Sequence, residues 1–258
     1  MAAIAETTEP TTVKATVPYA LTDGAPRYRI GLIALETDEA TEPDFQRMMP
    51  DGAAYFTSRV ISANPVTMEN LRKIGPRLAE SAAQILPGAR LDSIAYSCTS
   101  GTVALGYDEV ASQIAKGRPG VPVTTPITAG IAGLKKLGAK RITLFTPYID
   151  SVNQAMRGFL EDHGIEVLNI GSFCIDDDLE MARVPPEAIR AAAIEANHSH
   201  ADAVFISCTA IRAVEILDDA EATLGKPVLS AIQCLFWDAL RLASYDKPIA
   251  GYGSLLRA

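Results

Sequence analysis

The sequence predicts an α/β fold of two pseudo-symmetric, flavodoxin-like lobes, each a parallel sheet flanked by helices. Two segments, "DSIAYSCTSGTVALG" and "DAVFISCTAIRAVEI", are near repeats, and their cysteines, Cys98 and Cys208, lie 110 residues apart. Short β-branched segments alternate with helical patterns along the chain, which is typical of parallel strands joined by right-handed crossovers. Four pairs of segments recur in the same order in both halves, and this favours a duplicated unit.

The elements follow in chain order. Each segment of the first half has a counterpart in the second. "YRIGLIAL" corresponds to "KRITLFTP", "AAYFTSRV" to "IEVLNIGS", one cysteine strand to the other, and "GVPVTTPITAGIAGL" to "GKPVLSAIQCLFWDAL". Between them lie the helical patterns "PDFQRMMP", "ENLRKIGPRLAESAAQIL", "DEVASQIAKG", "SVNQAMRGFLEDHG", "PPEAIRAAAIEA" and "AVEILDDAEATLG". We expect a first lobe over 27–126, a second over 139–232, and inter-lobe helices and the C-terminus at 127–138 and 233–258. Residues 1–26, rich in Thr, Pro and Ala, predict a flexible arm.

Composition argues against several classes of protein. The net charge of −8 and the lack of a Lys/Arg stripe predict no nucleic-acid partner. No apolar run is long enough for a bilayer, and the N-terminus has no secretory pattern, so we expect no membrane partner. Four cysteines without CxxC spacing indicate free thiols in a reducing compartment. We therefore expect a cytoplasmic protein, and a homo-oligomer is left open.

Both repeated cysteines stand at the carboxyl ends of strands, where open α/β sheets bind ligands. If the lobes face each other, the thiols of Cys98 and Cys208 point into one cleft from opposite sides. A helix N-terminus at each thiol would lower its pKa from about 8.5. Nearby N–H and hydroxyl groups would bind a carboxylate; they belong to Thr99, Ser100, Gly101, Thr209, Ala210 and Ile211. The alternative is that these thiols only pack, but the duplication favours catalysis.

The chain resembles the aspartate/glutamate racemase superfamily, in the branch of maleate isomerase, arylmalonate decarboxylase and ectoine-utilisation racemase-like proteins. The resemblance rests on "GLIALETDEATEPDF", "YSCTSGTVALG", "TPYIDSVNQAM", "ISCTAIRAVEIL" and "QCLFWDALRLA", with "SCTSG" and "NPVT" most similar to the ectoine-utilisation type. It implies chemistry on a small carboxylate without a cofactor. By position, Cys98 would be the base or nucleophile, Cys208 the acid, and Tyr148 a substrate-facing residue rather than a cap of the core.

Asp38 stands where the resemblance to maleate isomerases implies an asparagine. A carboxylate here disfavours a dianion and favours an α-ammonium group, which indicates an amino-acid-like substrate. Alternatively, Asp38 caps the helix that follows and faces water.

Two further residues are candidates for substrate binding. Arg59 could clamp a carboxylate or form a surface ion pair. Asn64 could line the pocket or serve as a turn residue.

The remaining sequence motifs predict neither a metal site nor a nucleotide cofactor. "NHSH" lacks a third ligand and precedes a strand, so we predict no metal site there. The acidic segment "IDDDLEMARVPPEA" lacks EF-hand spacing and is expected to cap a helix start or to form a lid. No glycine loop for a nucleotide is present.

Four functions remain open, and the first is preferred: a cofactor-independent racemase of an Asp/Glu-like amino acid or related small carboxylate. The alternatives are a maleate cis-trans isomerase with a covalent Cys98 adduct, an arylmalonate-type decarboxylase and a non-catalytic carboxylate-binding protein. The paired cysteines count against the decarboxylase, because the resemblance implies that those enzymes keep only one of the two. A pair of redox-sensing thiols is a further possibility.

Overall fold

The computed structural model describes residues 12–22, 24 and 26–258 and contains two four-stranded parallel sheets. The first sheet contains β1 (Tyr28–Leu35), β2 (Ala53–Val60), β3 (Ser93–Tyr96) and β4 (Val123–Thr124) in the order β2–β1–β3–β4. The second contains β5 (Arg141–Tyr148), β6 (Glu166–Ile175), β7 (Ala203–Ile206) and β8 (Val228–Ser230) in the order β6–β5–β7–β8. The two halves therefore repeat one topology, and the predicted fold class is confirmed.

Helices connect and cover the strands. They are α1 (Thr41–Met48), α2 (Met68–Arg72), α3 (Leu78–Gln84), α4 (Thr99–Leu105), α5 (Tyr107–Gly117), α6 (Pro126–Lys136), α7 (Asp150–Asp162), α8 (Asp178–Arg183), α9 (Pro186–Glu195), α10 (Leu217–Leu224) and α11 (Ala231–Leu242). One predicted helical pattern, "ENLRKIGPRLAESAAQIL", is divided into α2, a 3-10 turn at Gly75–Arg77 and α3. The division follows from Pro76, which has no N–H to continue a helix.

The central strands place the cysteines. Every residue of β3 and β7 is buried, because helices cover both faces of each sheet. The strand order reverses between β1 and β3 and again between β5 and β7, and such a switch point opens a crevice at the carboxyl ends of the strands. Cys98 follows β3 and Cys208 follows β7, so both thiols lie at a crevice of this kind.

Two helices cross between the halves. α6 follows the first sheet, yet Gly130 lies against Phe205 of β7, so closely that a Cβ at position 130 would stand 2.6 Å from the ring. α11 follows the second sheet, yet its Ala239 carbonyl accepts a hydrogen bond of 2.9 Å from the Ser93 hydroxyl of β3. Each helix therefore packs on the sheet of the other half. The lobe boundaries at 27–126 and 139–232 stay a prediction.

The predicted arm, 1–26, lies partly outside the described residues. Positions 12–22 and 24 are exposed and belong to neither helix nor strand. Flexibility of this segment stays a prediction. Within the described part of the chain, no helix combines the length and the hydropathy needed to cross a membrane.

Candidate active site

The Cys98 thiol lies at the start of a helix. Cys98 is the N-cap of α4, and its sulfur accepts a hydrogen bond of 3.2 Å from the Gly101 N–H. The Thr102 hydroxyl donates to the Cys98 carbonyl at 2.8 Å and fixes the turn from the other side. Gly101 is required here, because a Cβ would stand 2.7 Å from the sulfur and 2.6 Å from the Tyr96 hydroxyl oxygen. The thiol is therefore held tightly against the first turn of α4.

The Cys208 thiol lies in a different turn. The chain bends over residues 209–211 and reaches a 3-10 turn only at Val214–Ile216, so no helix begins at Cys208. The sulfur accepts a hydrogen bond of 3.3 Å from the Ala210 N–H. The Thr209 hydroxyl donates to the Ser97 carbonyl at 3.2 Å and so bridges the two halves. The expectation of a helix N-terminus at both thiols is wrong for Cys208.

Both thiols open into one small cavity. Its volume is about 20 Å³, which is room for about one water molecule. The lining residues are Leu35, Asp38, Val66, Leu71, Cys98, Thr99, Ser100, Tyr148, Asp178, Cys208, Thr209 and Ala210. Eight of the ten predicted site residues lie in this set, and Arg59 and Asn64 do not. Their roles in binding or catalysis stay predictions.

Burial dominates the acidity of both thiols. It raises the pKa of Cys98 to about 11, although the hydrogen bond from the Gly101 N–H opposes the rise. It raises the pKa of Cys208 to about 12, although a hydrogen bond with the Tyr148 side chain opposes it. The negative charge of Asp178 raises both values further. The expectation that the thiol pKa values fall is therefore wrong for this closed cavity, where desolvation outweighs the helix dipole.

Three hydroxyl groups face the space beside the thiols. The Tyr148 side chain, at the end of β5, forms hydrogen bonds with both Cys208 and Ser100, and so lies between the two halves. The Ser100 hydroxyl is 3.9 Å from the Cys98 sulfur. The Thr99 hydroxyl is buried and has no hydrogen-bond partner among the described residues. These groups can donate hydrogen bonds to a bound carboxylate or to an enediolate.

Asp38 both caps a helix and lines the cavity. One of its oxygens accepts the N–H groups of Ala40 at 2.9 Å and Thr41 at 2.8 Å, and the other accepts the Thr41 hydroxyl at 2.5 Å. These bonds agree with the alternative that Asp38 caps the start of α1. Only 5% of the residue is exposed, so the expectation that Asp38 faces water is wrong. Burial raises the pKa of this carboxyl above its usual value.

Asp178 is a residue of the cavity that the sequence did not single out. It opens α8, and the Thr37 hydroxyl donates to one of its carboxylate oxygens. Burial raises the pKa of its carboxyl, and the Thr37 hydrogen bond opposes this. The signal for it in the sequence is the acidic segment "IDDDLE", which predicts a capped helix start or a lid.

Arg59 has partners elsewhere. Its guanidinium donates to the carbonyl oxygens of Leu35 at 3.2 Å, Glu36 at 3.3 Å and Asp38 at 2.8 Å, and it pairs with Glu42. Arg59 lies on β2, the edge strand, one strand away from β1 and two from β3. Both terminal nitrogens of Arg59 therefore have partners within the protein, and the carboxylate clamp stays a prediction.

Asn64 holds two loops together instead of lining the cavity. Its side chain donates to the Asp177 carboxylate at 2.9 Å and accepts the Asp178 N–H at 3.3 Å. The Val66 N–H donates to the Asp176 carbonyl at 2.7 Å beside it. The loop after β2 and the start of α8 are thus joined across the cavity, as a lid would be.

The family is shown by comparison with known proteins. A family model described as arylmalonate decarboxylase matches residues 30–256. The chain belongs to the arylmalonate decarboxylase family. Its similarity to a maleate isomerase of Geobacillus stearothermophilus is 29% identity over 247 residues, covering 90% of this chain and 98% of the relative. Similarity to the arylmalonate decarboxylase of Bordetella bronchiseptica is 28% over 230 residues, covering 88% and 95%.

Solved structures agree with this placement in the arylmalonate decarboxylase family. A Nocardia farcinica maleate cis-trans isomerase, a cysteine-to-serine mutant with a covalently bound succinylcysteine intermediate, matches with a TM-score of 0.81 and 25% identity, covering 89% of this chain and 98% of that one. At the level of family and enzyme class, these comparisons confirm the predicted resemblance and the prediction of an isomerase. The finer likeness to ectoine-utilisation proteins stays a prediction.

Proposed function

We propose that this protein is a two-cysteine isomerase that moves a proton at the α-carbon of a small carboxylate, with an amino acid as the preferred substrate. One observation carries the proposal: Cys98 and Cys208 come from corresponding strand ends of the two halves and line one cavity. A racemase needs a proton acceptor on one face of the α-carbon and a donor on the other. Two thiols that come from opposite halves meet that need.

The proton balance is simple. In its reactive form the enzyme has one thiolate and one thiol. The Cys98 thiolate accepts the α-proton, the electron pair passes into the carboxylate to give an enediolate, and the Cys208 thiol donates its proton to the other face. The hydroxyls of Thr99, Ser100 and Tyr148 stabilise the enediolate, in which negative charge has moved onto oxygen.

The cavity must open before a substrate can enter. Its volume of about 20 Å³ is too small for a carboxylate of several heavy atoms. The hydrogen bonds Val66–Asp176 and Asn64–Asp177, which join the loop after β2 to the segment before α8, are the contacts to be released. Entry therefore requires these two segments to part, and closure then desolvates the reacting groups.

A maleate cis-trans isomerase is the second candidate. The covalent succinylcysteine in the Nocardia farcinica relative favours it. By analogy, the Cys98 sulfur would bond to one alkene carbon, the π electrons would move into the adjacent carboxylate, rotation would follow about the new single bond, and elimination would release the trans product. The decarboxylase and the non-catalytic binding protein stay as alternatives, since the family includes arylmalonate decarboxylase and fold alone does not decide function.

The test is incubation in D₂O with chiral amino and hydroxy acids, maleate and an arylmalonate, followed by NMR. The racemase predicts solvent deuterium at the α-carbon together with loss of optical purity. Formation of fumarate from maleate without amino-acid exchange would instead establish the cis-trans isomerase, and loss of carbon dioxide from the arylmalonate the decarboxylase. A protein that binds ligands but transforms none of them would contradict the proposal.

A further inference from the structure

Two buried carboxylates line the cavity, one from each half of the chain. Asp38 follows β1 and is 5% exposed, and Asp178 begins α8 and is 9% exposed. They are close enough that the charge of Asp178 raises the pKa of Asp38. Among the described residues, none that lines the cavity is a lysine or an arginine. The cavity therefore holds two acids without a basic partner.

The two carboxylates differ in the number of hydrogen bonds that their oxygen atoms accept. Asp38 accepts three hydrogen bonds from Ala40 and Thr41, which favour its ionised form. Asp178 accepts the Thr37 hydroxyl at Oδ2, while no described residue donates to its Oδ1. That oxygen is left to interact with whatever occupies the cavity.

A second, independent group points to a ligand. The Thr99 hydroxyl lies in the same cavity, is 1% exposed and has no hydrogen-bond partner among the described residues. A buried polar group without a partner is destabilising, and a ligand that bonds to it removes this cost. The Thr99 hydroxyl is a neutral donor that can bind one carboxylate of a ligand. No positively charged residue in the described part of the chain lines the cavity to bind a second carboxylate.

We propose that the site takes a small zwitterion, with its cationic group between Asp38 and Asp178 and its single carboxylate against the Thr99 hydroxyl. The inference rests on the proposed isomerase for the location of the site and narrows its substrate. A second carboxylate, as in maleate or aspartate, would enter a low-dielectric space that already holds two acids. The Asp/Glu-like substrate expected from the sequence is thus replaced by an amino acid with a neutral or basic side chain.

The same carboxylate connects binding with reactivity. The charge of Asp178 contributes to the raised pKa of both thiols. An ammonium group bound beside it compensates this charge and favours the thiolate. The zwitterion therefore helps to form the base that acts on it, whereas a dianion suppresses that base.

The experiment measures dissociation constants from ligand-induced shifts of the melting temperature. The probes are glycine and the nineteen chiral proteinogenic α-amino acids in both configurations, their counterparts with hydrogen in place of the ammonium group, and maleate and succinate. The proteins are the wild type, Asp178→Asn, and Glu180→Gln as a matched control that removes one exposed charge from the same helix. Asp38→Asn is the second variant, since Asn retains the capping of α1.

In the wild type, a neutral or basic amino acid should bind most tightly. Its affinity should fall about 10- to 100-fold in Asp178→Asn, the range for a charge-assisted hydrogen bond, and change less than twofold in Glu180→Gln. Maleate and succinate should bind the Asn variants better than the wild type. The inference is overturned if dicarboxylates bind the wild type best, if Asp178→Asn and Glu180→Gln behave alike, or if no amino acid binds.

Failure of the inference and failure of the isomerase proposal are distinguishable. Binding of a neutral amino acid with no α-hydrogen exchange in D₂O supports the zwitterion site and contradicts the isomerase. Exchange or isomerisation that occurs only with dicarboxylates supports the isomerase and overturns the zwitterion site.

Discussion

The turns that follow Ser97-Cys98-Thr99 and Ser207-Cys208-Thr209 begin with the same three residue types and then differ. After Cys98 the chain enters α4 at once, and the thiol accepts the N–H three residues on, at Gly101. After Cys208 the chain bends, and the thiol accepts the N–H two residues on, at Ala210. Duplication therefore explains where both thiols lie, while the residues that follow determine the surroundings of each.

The difference has a chemical consequence. The Cys98 thiol receives a helix N-terminus and has a pKa of about 11, whereas the Cys208 thiol depends on Tyr148 and has a pKa of about 12. The first thiol is the better candidate for the base and the second for the acid. A reversible racemase uses both roles in both directions, so the asymmetry can be tested with each enantiomer.

Replacing either thiol should have the largest effect. We expect Cys98→Ser and Cys208→Ser each to reduce racemisation about 10²- to 10⁴-fold, since each removes one proton carrier. Each variant should still exchange the α-hydrogen of one enantiomer with D₂O, and the two should act on opposite enantiomers. NMR of each enantiomer with each variant checks this, with Cys174→Ser, an exposed free cysteine, as the control. Exchange of the same enantiomer by both variants would contradict a two-face mechanism.

A methyl group added at the Cys98 turn should be the next most harmful change. Gly101→Ala places a Cβ 2.7 Å from the Cys98 sulfur, so the thiol must move. We expect a loss of about 1–3 kcal/mol in the free energy of unfolding, with loss of turnover. The matched change on the other side, Ala210→Gly, adds no atoms and should cost less than 1 kcal/mol. Urea unfolding and turnover of both variants measure the difference, and equal effects would remove the contrast between the turns.

The Cys98 thiol should be alkylated faster than the Cys208 thiol. Between pH 8 and 10 both pKa values lie above the solution pH, so each thiolate fraction rises about tenfold per pH unit, and the fraction at Cys98 is the larger of the two. Iodoacetamide labelling in a Cys174→Ser background, followed by peptide mass spectrometry, gives both rates. Faster labelling of Cys208 would reverse the assignment.

The smallest effects should come from the tyrosines beside the thiols. Tyr96 interacts with Cys98 and Tyr148 with Cys208, and each interaction lowers the pKa of its thiol. We expect Tyr96→Phe to slow labelling of Cys98 alone, and Tyr148→Phe to slow labelling of Cys208 more than that of Cys98. Each change should be at most about fivefold, the value of one ordinary hydrogen bond. Labelling rates that change equally at both thiols in either variant would show that the turns are not independent.

The sequence predicted the fold class well because alternating strand and helix patterns, repeated at a nearly constant offset, indicate a duplicated α/β unit. It placed Cys98 and Cys208 at one cavity because both follow strand ends of a duplicated unit whose halves face each other, whereas Tyr148 came from the family resemblance. Two features of the site depend on the three-dimensional structure and could not be predicted from the sequence. The thiol pKa values depend on how completely the cavity closes, which no local pattern encodes. The identity of Asp178 as a lining residue depends on contacts across the halves, from Thr37 and Asn64 to the start of α8.

The surroundings of Arg59 depend on the strand order, which the residue type does not encode, and its role in binding stays a prediction. The residue type suits a carboxylate, and its position near a strand end suggested a site. The sheet order places that strand at the edge, where the guanidinium meets backbone carbonyls and Glu42. The strand order, and not the residue type, decides which strand ends reach the cleft.

The exchange of α6 and α11 between the halves has a consequence for synthesis of the chain. Ser93 of the first sheet bonds to Ala239, 146 residues later, so that face of the sheet stays uncovered until nearly the whole chain has left the ribosome. A contact of such long sequence separation slows folding and prolongs exposure of apolar surface. The first half expressed alone lacks this cover and should aggregate, whereas adding the second half as a separate chain should restore solubility.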